Sequence, residues 1–511
     1  MALDYIVLAI YALSMVAIAF YTKNRSGSVN DFLLAGKKGL NGWMTAFAYG
    51  TTYFSAVIFI GYAGQFGRSF GLASIWIGVG NALIGTLIAW LVLAKRTKNM
   101  TARLSAKTMP DFFEKRFDSH GLKILSAIVI FIFLIPYSAS VYSGLSSLFE
   151  IVYGIPGWVV MVALALLTAV YLFFGGYFAT ALSDFIQGII MIAGVVIMVV
   201  FFMNSKEISW DISAISDTWF TFDKEGSGGL FGSTVSLSSL ILLTSLGVWG
   251  LPQTVHKYYA IRDRRAIYQG VIVSTAFALI IGMAAYFTGA LSFFYPKELA
   301  GVPYGSVIPT MLSLVIPVGF TGIIAVLILS ASMSTLSSVS LASASVLAVD
   351  LYKGSIKKDA SDKRVNTVMR ALTLVFITIS VVLAVLNEEF GITAIAYMMG
   401  LSWGTLSGCF IGPFVLGLIW KRVTKTAAFT SIISSLTLTA TLIITFGYIN
   451  AGSGAGFGEA IKCGVSTSPL IGVICMIFSL AVTTVVSLLT APPSKEVIEG
   501  AFEKPIENEI I

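Results

Sequence analysis

The chain has 511 residues, of which 57% are hydrophobic and only 11% are charged. This composition is typical of a polytopic membrane protein and excludes an ordinary soluble domain. The formal net charge is +7, but the basic residues lie in short segments between apolar runs, which argues against nucleic acid as a partner. Cys409, Cys463 and Cys475 have no metal-binding spacing and require no disulfide.

Thirteen apolar runs are long enough to cross a bilayer, since about 20 helical residues span its hydrocarbon core. We number them span 1 to span 13, and they cover residues 4–22, 42–70, 73–94, 121–150, 157–178, 183–203, 236–258, 268–294, 306–351, 366–387, 390–419, 427–448 and 467–491. Span 9 is longer than one crossing, which predicts a short helix before the spanning one. Span 1 has neither a basic leader nor a cleavage site, so we expect a retained helix and not a signal peptide.

The basic residues predict the orientation of the chain, because they concentrate on the cytoplasmic side of membrane proteins. All but five of the 32 Lys and Arg lie on one side of the predicted spans; the five are Arg68, Lys206, Lys224, Lys297 and Lys462. We therefore expect a multi-pass protein of the cell membrane with its N-terminus outside and its C-terminus in the cytoplasm. The expected division is 1–40 for span 1 and a cytoplasmic loop, 41–204 for spans 2–6, 205–235 for an extracellular loop, 236–420 for spans 7–11, 421–492 for spans 12 and 13, and 493–511 for a cytoplasmic tail.

Two spans do not favour a continuous helix. Span 2 contains the run Tyr49–Ala56, where a glycine lies among hydroxyl and β-branched residues. Span 7 contains Gly247–Gln253, where Pro252 has no N–H to donate. They lie five spans apart, as expected if spans 2–6 and 7–11 are inverted repeats. Paired broken helices point to a transporter's midplane site; the alternative is that the glycines only permit close packing. The predicted fold is all-α, with about 13 transmembrane helices and a five-plus-five inverted-repeat core containing two broken helices.

Span 9 has nine hydroxyl residues between positions 330 and 345. On a helix Ser334, Ser337 and Ser338 share one face, with Thr335 beside it. Hydrocarbon contains no water for these groups, so they must bond internally or meet a small cation that prefers oxygen ligands. The alternative is hydrogen bonding to their own helix and close packing. If span 2 unwinds near Gly50, its free carbonyls would complete a site suited to Na⁺.

Asp184 is a lone acid near one end of span 6. A carboxylate within a bilayer is costly unless a cation or a donor compensates it. Placed opposite the span 9 hydroxyls, it would strengthen a site for a monovalent cation. The alternative is an interfacial acid at the start of a helix.

Polar and aromatic residues near the two breaks are candidates for binding a solute: Tyr53, Ser55, Asn81, Tyr137, Trp249 and Gln253. The two amides are favoured because amides seldom lie in hydrocarbon without a partner, whereas aromatic residues more often only pack. An enzyme is disfavoured, since the chain has no metalloprotease, nucleophile-elbow or P-loop motif.

Several motifs together resemble the sodium/solute symporter family over nearly the whole chain: Gly175-Gly176, Ser183-Asp184-Phe185-Ile186-Gln187, Met333-Ser334-Thr335-Leu336-Ser337-Ser338 and the stretch from Tyr53 to Gly61. The resemblance implies a secondary active symporter that couples solute uptake to sodium entry by alternating access. It implies a first sodium site from the carbonyls of Thr51, Phe54 and Ala331 with the hydroxyls of Ser334 and Thr335. Some members are thought to hold a second sodium through positions matching Asp184, Ser334, Ser337 and Ser338.

The solute is suggested by differences between branches of that family. Where this chain has Tyr53, the proline branch has an acid, and where this chain has Thr244 and Val248, that branch has aromatic residues. Tyr137, however, matches a tyrosine of the proline branch. Segments 52–56 and 250–252 look more like the pantothenate and monocarboxylate branches, so a small organic carboxylate is favoured. Alternatives are a sodium/proline or other amino-acid symporter, a proton in place of sodium, and a membrane sensor that does not transport. None of these requires an oligomer.

Overall fold

The computed structural model describes residues 2–23, 28–34, 40–217, 233–317, 319–391, 394–452 and 454–503. Within these ranges, eleven helical stretches are long and apolar enough to cross a membrane. Two of them, Val57–Leu104 and Gly157–Met203, each contain two crossings, because the backbone leaves the helical conformation at Gly71 and at Gly176. The predicted all-helical fold with about thirteen crossings is therefore confirmed.

Gly176 shows how one of these reversals is made. Its φ of 63° and ψ of −165° lie in a region that residues with a Cβ rarely adopt. Beyond it the chain folds back, and the hydroxyls of Tyr171 and Ser183, on either side of the turn, are hydrogen-bonded. Spans 5 and 6 are thus an antiparallel pair joined at Gly176.

The first half of the chain is helical through span 6. Span 1 is the helix Ala2–Thr22, and a short helix, Val29–Leu34, follows it. The helices from span 2 up to the next loop are Gly42–Tyr53, Val57–Tyr62, Ala63–Phe70, Gly71–Ser74, Ile75–Ala82, Leu83–Ile88, Trp90–Ala94, Lys95–Leu104, Met109–Phe117, His120–Tyr153, Gly157–Met203 and Ile212–Asp217.

The second half is built from the same kind of helices. They are Ser233–Leu246, Gly247–Gly250, Pro252–Tyr259, Arg264–Ala290, Leu291–Phe294, Tyr304–Ser306, Val307–Val315, Thr321–Ser345, Val346–Ile356, Asp362–Phe390, Ile395–Ile411, Gly412–Leu416, Gly417–Ile419, Lys425–Ala451, Phe457–Ser466, Ser468–Leu489 and Lys495–Phe502. The short helix Val307–Val315 before the spanning helix of span 9 agrees with the prediction from the length of that run.

Both predicted breaks are present. In span 2 the helix begins at the Asn41 cap, whose side chain accepts from Met44 N at 2.9 Å, and it stops at Tyr53 before Val57 restarts it. In span 7 a tight turn and an extended Leu251 separate two helices. Pro252 is the first residue of the second helix, where its missing N–H costs nothing because that position has no partner in the helix.

Span 9 lies at the centre of the bundle. In its apolar window 89% of the residues are buried, against 22% in span 1. Every residue from 330 to 345 is buried, so the hydroxyls of this segment face protein and not lipid. They must find partners inside the protein, since none is available in hydrocarbon.

Some residues used to predict the orientation lie outside the described ranges. These are Arg25, Lys37, Lys38, Lys224 and Lys504. The middle of the predicted loop 205–235 and the end of the predicted tail also lie outside the described residues.

Candidate functional site

The break in span 2 frees two backbone carbonyls inside the protein. Phe54 N still bonds to Gly50 O at 3.0 Å, but Phe54 itself is extended, with φ −99° and ψ 96°. The carbonyl of Thr51 accepts from the hydroxyls of Ser334 at 3.1 Å and Thr335 at 3.4 Å. The hydroxyl of Thr335 also lies 3.4 Å from the carbonyl of Thr52. Side chains of span 9 therefore replace the missing helical partners of span 2.

We call the oxygens of this contact the neutral cluster: the carbonyls of Thr51 and Ala331 and the hydroxyls of Ser334 and Thr335. Ser334 Oγ lies 3.2 Å from the carbonyl of Ala331, which closes the group on the span 9 side. All four residues are fully buried. None of these oxygens carries a formal charge, and a hydroxyl can turn its proton away to present a lone pair. The cluster can therefore accept a dehydrated monovalent cation without displacing an existing charge.

Four of the five residues expected for the first sodium site are thus together. The fifth, Phe54, follows directly in the chain, and its ring packs on Tyr53 and Phe277 at centroid distances of 4.7 and 6.2 Å. Its carbonyl has no hydrogen bond to the span 9 hydroxyls among the described contacts.

One helical turn further along span 9 lies a group of different character, which we call the charged cluster. Lys257 Nζ, from the second half of span 7, lies 3.5 Å from Asp184 Oδ2 and 2.8 Å from Ser338 Oγ. The ammonium also lies 5.2 Å from the centre of the Tyr177 ring. Asp184 and Lys257 are 0% and 1% exposed. A buried carboxylate and a buried ammonium thus compensate each other.

The charged cluster changes the picture of the expected second sodium position. Ser338 Oγ binds Lys257 and also Thr52 Oγ1 at 2.8 Å, while Ser337 Oγ donates to Ser334 O at 3.0 Å. The four expected residues are neighbours, but a cation of the protein's own already lies between Asp184 and Ser338. Counting Lys257 only as a basic residue at the end of span 7 missed this role. The sequence signal for it is the spacing of Lys257 four residues after Gln253, which places the lysine on the same face of the helix as that polar residue.

The candidates for solute binding divide into two groups. Tyr53, Ser55 and Tyr137 lie together at the break, and the Tyr137 hydroxyl faces Ser55 and Thr335. Tyr53 donates its hydroxyl to Thr244 O at 2.5 Å.

Asn81, Trp249 and Gln253 are held differently. Asn81 Oδ1 accepts from Thr244 Oγ1 at 2.7 Å, which ties span 3 to span 7, and the Asn81 side chain also faces the hydroxyl of Tyr286. Trp249 Nε1 donates to the backbone of Ile84 at 3.1 Å. Gln253 is buried at the start of the second helix of span 7, and its Oε1 has no partner within the described ranges. The contacts of Asn81 and Trp249 join helices to each other.

Trp403, in span 11, belongs with the first group although it was not predicted. Its ring lies 5.6 Å from that of Tyr137 and 5.9 Å from that of Tyr53. Its indole Nε1 is buried and faces the hydroxyl of Tyr137. A tryptophan N–H within a membrane helix normally finds an acceptor, and here it faces the Tyr137 hydroxyl. The two groups give an otherwise aromatic surface a polar place where a ligand can bind.

Comparison with known proteins identifies the family. The family model described as sodium:solute symporter family matches residues 32–435. The chain belongs to this family. It is 30% identical to the osmoregulated proline transporter OpuE of Bacillus subtilis, over 83% of this chain and 86% of that one. It is 27% identical to a sodium/proline symporter of Staphylococcus aureus, over 84% of each chain.

Solved structures agree with the fold. A Na⁺-coupled sialic acid symporter in a substrate-bound outward-open state superposes with a TM-score of 0.76 at 19% identity, covering 96% of this chain and 99% of that one. Mhp1, a nucleobase-cation-symport transporter, gives 0.53 at 13% identity, covering 93% and 98%. These likenesses support the fold of inverted repeats.

Family membership supports the expected class of function. The protein is a membrane-embedded, sodium-coupled symporter of a small solute, and its family and relatives are transporters and not enzymes. Both relatives named above are proline transporters. The comparisons therefore favour the proline alternative over the pantothenate-like or monocarboxylate-like solute that the sequence segments suggested.

Proposed function

We propose that this protein is a sodium/proline symporter of the cell membrane. One observation carries the proposal: the hydroxyl of Tyr137 and the indole N–H of Trp403 face each other beside the span 2 break, and the same hydroxyl faces Thr335 of the neutral cluster. A solute bound to these groups would be in contact with the ion-binding oxygens. The proline transporters among its relatives support the choice of solute.

The carboxylate of proline would accept hydrogen bonds from Tyr137 and Trp403. The second helix of span 2 begins at Val57, and the positive end of its dipole favours an anionic group nearby. The secondary ammonium would lie against the π faces of Tyr53, Tyr137 and Trp403, which attract a cation although position 53 has no acid. A monocarboxylate has no such cation and would gain nothing from these faces.

Sodium would bind at the neutral cluster, with Phe54 O as a further ligand. The ion would join span 2 to span 9, and the nearby Tyr137 would then be held for the solute. Because this coupling is reciprocal, the solute would raise the affinity for sodium by the same factor. The driving force is the ion gradient, about 2.3 kcal/mol per charge per 100 mV plus the concentration term. Rocking of the helix bundle around the site would give alternating access.

For the orientation we propose the N-terminus outside and the C-terminus in the cytoplasm, following the distribution of Lys and Arg. In this arrangement residues 41–204 and 236–420 form the two inverted repeats. The segments 1–40, 205–235, 421–492 and 493–511 are additions to that core. Accessibility of single cysteines, introduced near each terminus, to an impermeant reagent in intact cells tests this arrangement.

The test of function is uptake of radiolabelled L-proline into proteoliposomes. We expect accumulation with an inward sodium gradient and none when choline replaces sodium at fixed pH. Excess unlabelled pantothenate or lactate should leave the uptake unchanged. Equal uptake in choline would contradict sodium coupling, and full competition by a monocarboxylate without uptake of proline would contradict the solute.

A further inference from the structure

Lys257 lies where a second coupling ion would otherwise bind. We propose that its ammonium permanently fills this position, so that one sodium ion, and not two, moves with each solute. This inference rests on the proposed function and deepens it, because it sets the coupling ratio. It is carried by three contacts of one buried ammonium with Asp184, Ser338 and Tyr177.

The first step is the balance of charge. Asp184 and Lys257 form the ion pair of this buried cluster, with an Oδ2–Nζ distance of 3.5 Å. A sodium ion added between Asp184 and the span 9 hydroxyls would place two positive charges a few ångströms apart beside one carboxylate. Repulsion between like charges is strong where water is excluded. The position therefore holds the ammonium or a sodium ion, and not both.

The second step is the supply of oxygen ligands. The hydroxyl of Ser338 already contacts Lys257 and Thr52, each at 2.8 Å, and that of Ser337 is turned to Ser334 O of its own helix. Among the described polar atoms of the cluster, Asp184 Oδ1 is left without a partner. The ammonium already takes up Ser338 Oγ and one oxygen of Asp184, so Asp184 Oδ1 and the hydroxyl of Ser337 remain. A sodium ion needs more oxygen ligands than these two.

The third step is that protein groups, and not water, surround the ammonium of Lys257. The Tyr177 ring lies below the ammonium at 5.2 Å, and Lys257 is 1% exposed. An ammonium held by a carboxylate, a hydroxyl and a π face has no need of water. Because Lys257 belongs to span 7 and these partners come from spans 5, 6 and 9, the lysine ties together helices that a diffusible ion would have to join.

The test counts sodium ions bound by the purified protein in detergent, using radioactive sodium without any solute. We expect Lys257→Met to bind one ion more than the parent protein, since Asp184 then lacks its countercharge. Asp184→Asn should leave the count of the parent unchanged, and the double variant should return to that count. Lys98→Met is the matched control: its ammonium donates to Tyr259 O at 2.8 Å, and its loss should not create a site.

Two results would overturn the proposal. One is a folded Lys257→Met protein that binds no more sodium than the parent; the other is loss of one ion in Asp184→Asn. If Lys257→Met does not fold, the Asp184→Asn count alone decides. A parent that binds no sodium would contradict the proposed function instead, while a gained ion in Lys257→Met would still support the place assigned to the ammonium.

Discussion

The neutral cluster and the charged cluster use neighbouring turns of one helix and differ in a single respect. Around Ser334 and Thr335 the partners are backbone carbonyls of the broken span 2. Around Ser338 the partner is an ammonium paired with a carboxylate. Hydroxyl chemistry is the same in both, so the neighbours determine what each can bind. Oxygens without a countercharge leave room for a sodium ion, whereas a completed ion pair does not.

The two clusters also have different roles. The neutral cluster lies next to the aromatic group of Tyr53, Tyr137 and Trp403, through the contact of Tyr137 with Thr335. The charged cluster lies against Tyr177, at the turn between spans 5 and 6. An ion bound at the neutral cluster can therefore affect the binding of the solute directly. The pair at the charged cluster can hold spans 6, 7 and 9 together whether or not solute is present.

The largest effect is expected from breaking the ion pair on one side only. Lys257→Met or Asp184→Asn alone leaves a buried charge without its partner, which costs about 3–5 kcal/mol of unfolding free energy. Changing both should cost much less than the sum of the two. Denaturant unfolding in sodium-free detergent of the two single variants and the double variant measures this coupling. If the losses of unfolding free energy in the single variants add up to that of the double variant, Asp184 and Lys257 do not compensate each other. The contrast drawn between the two clusters would then be wrong.

A smaller loss of stability is expected from removing the aromatic face below the ammonium. Tyr177→Leu should remove a cation–π contribution of about 2 kcal/mol, as is typical of a desolvated site. Tyr177→Phe keeps the face and is the control. The same Tyr177→Leu change in a Lys257→Met background should cost less by that amount, because no cation remains. An equal cost in both backgrounds would assign the loss to packing alone.

The neutral cluster is tested by its dependence on sodium. Thr335→Ala removes a hydroxyl ligand, and we expect the sodium concentration for half-maximal proline uptake to rise about tenfold, equivalent to ~1.4 kcal/mol. Ser337→Ala is the matched control, since its hydroxyl bonds only within its own helix, and it should change this concentration less than about twofold. Unchanged sodium dependence in Thr335→Ala would remove the neutral cluster as the ion site.

Much of the fold could be predicted from the sequence, because its signals are local. The length of each apolar run determines the crossings, and Pro252, or a glycine among hydroxyl and β-branched residues, indicates a break. The hydroxyl density of span 9 likewise predicted a polar lining. These properties depend on residues close together in the chain, so they need no knowledge of which helices meet.

The partners of the site residues could not be predicted in the same way. Lys257 reaches Asp184 from 73 positions away in the chain, and no periodicity shows that spans 6, 7 and 9 meet there. Trp403 meets Tyr137 from a helix outside both breaks. Its environment is indistinguishable, in sequence, from that of a tryptophan that only packs. Contacts between distant helices decide both roles.

The smallest effect is expected at the aromatic group beside the neutral cluster. Trp403→Phe keeps the ring face but removes the indole N–H, and we expect KM for proline to rise about fivefold, the loss of one hydrogen bond of ~1 kcal/mol. Trp90→Phe is the matched control: Trp90 is also fully buried, but it packs on Tyr49 and Tyr258 and has no described ring contact with Tyr137. If both variants raise KM equally, the effect comes from packing and the N–H does not bind solute. If only Trp403→Phe raises KM, and its affinity for sodium in the absence of solute is unchanged, the indole N–H binds the solute and not the ion. Solute and ion then have separate ligands in adjoining sites, as the neutral cluster requires.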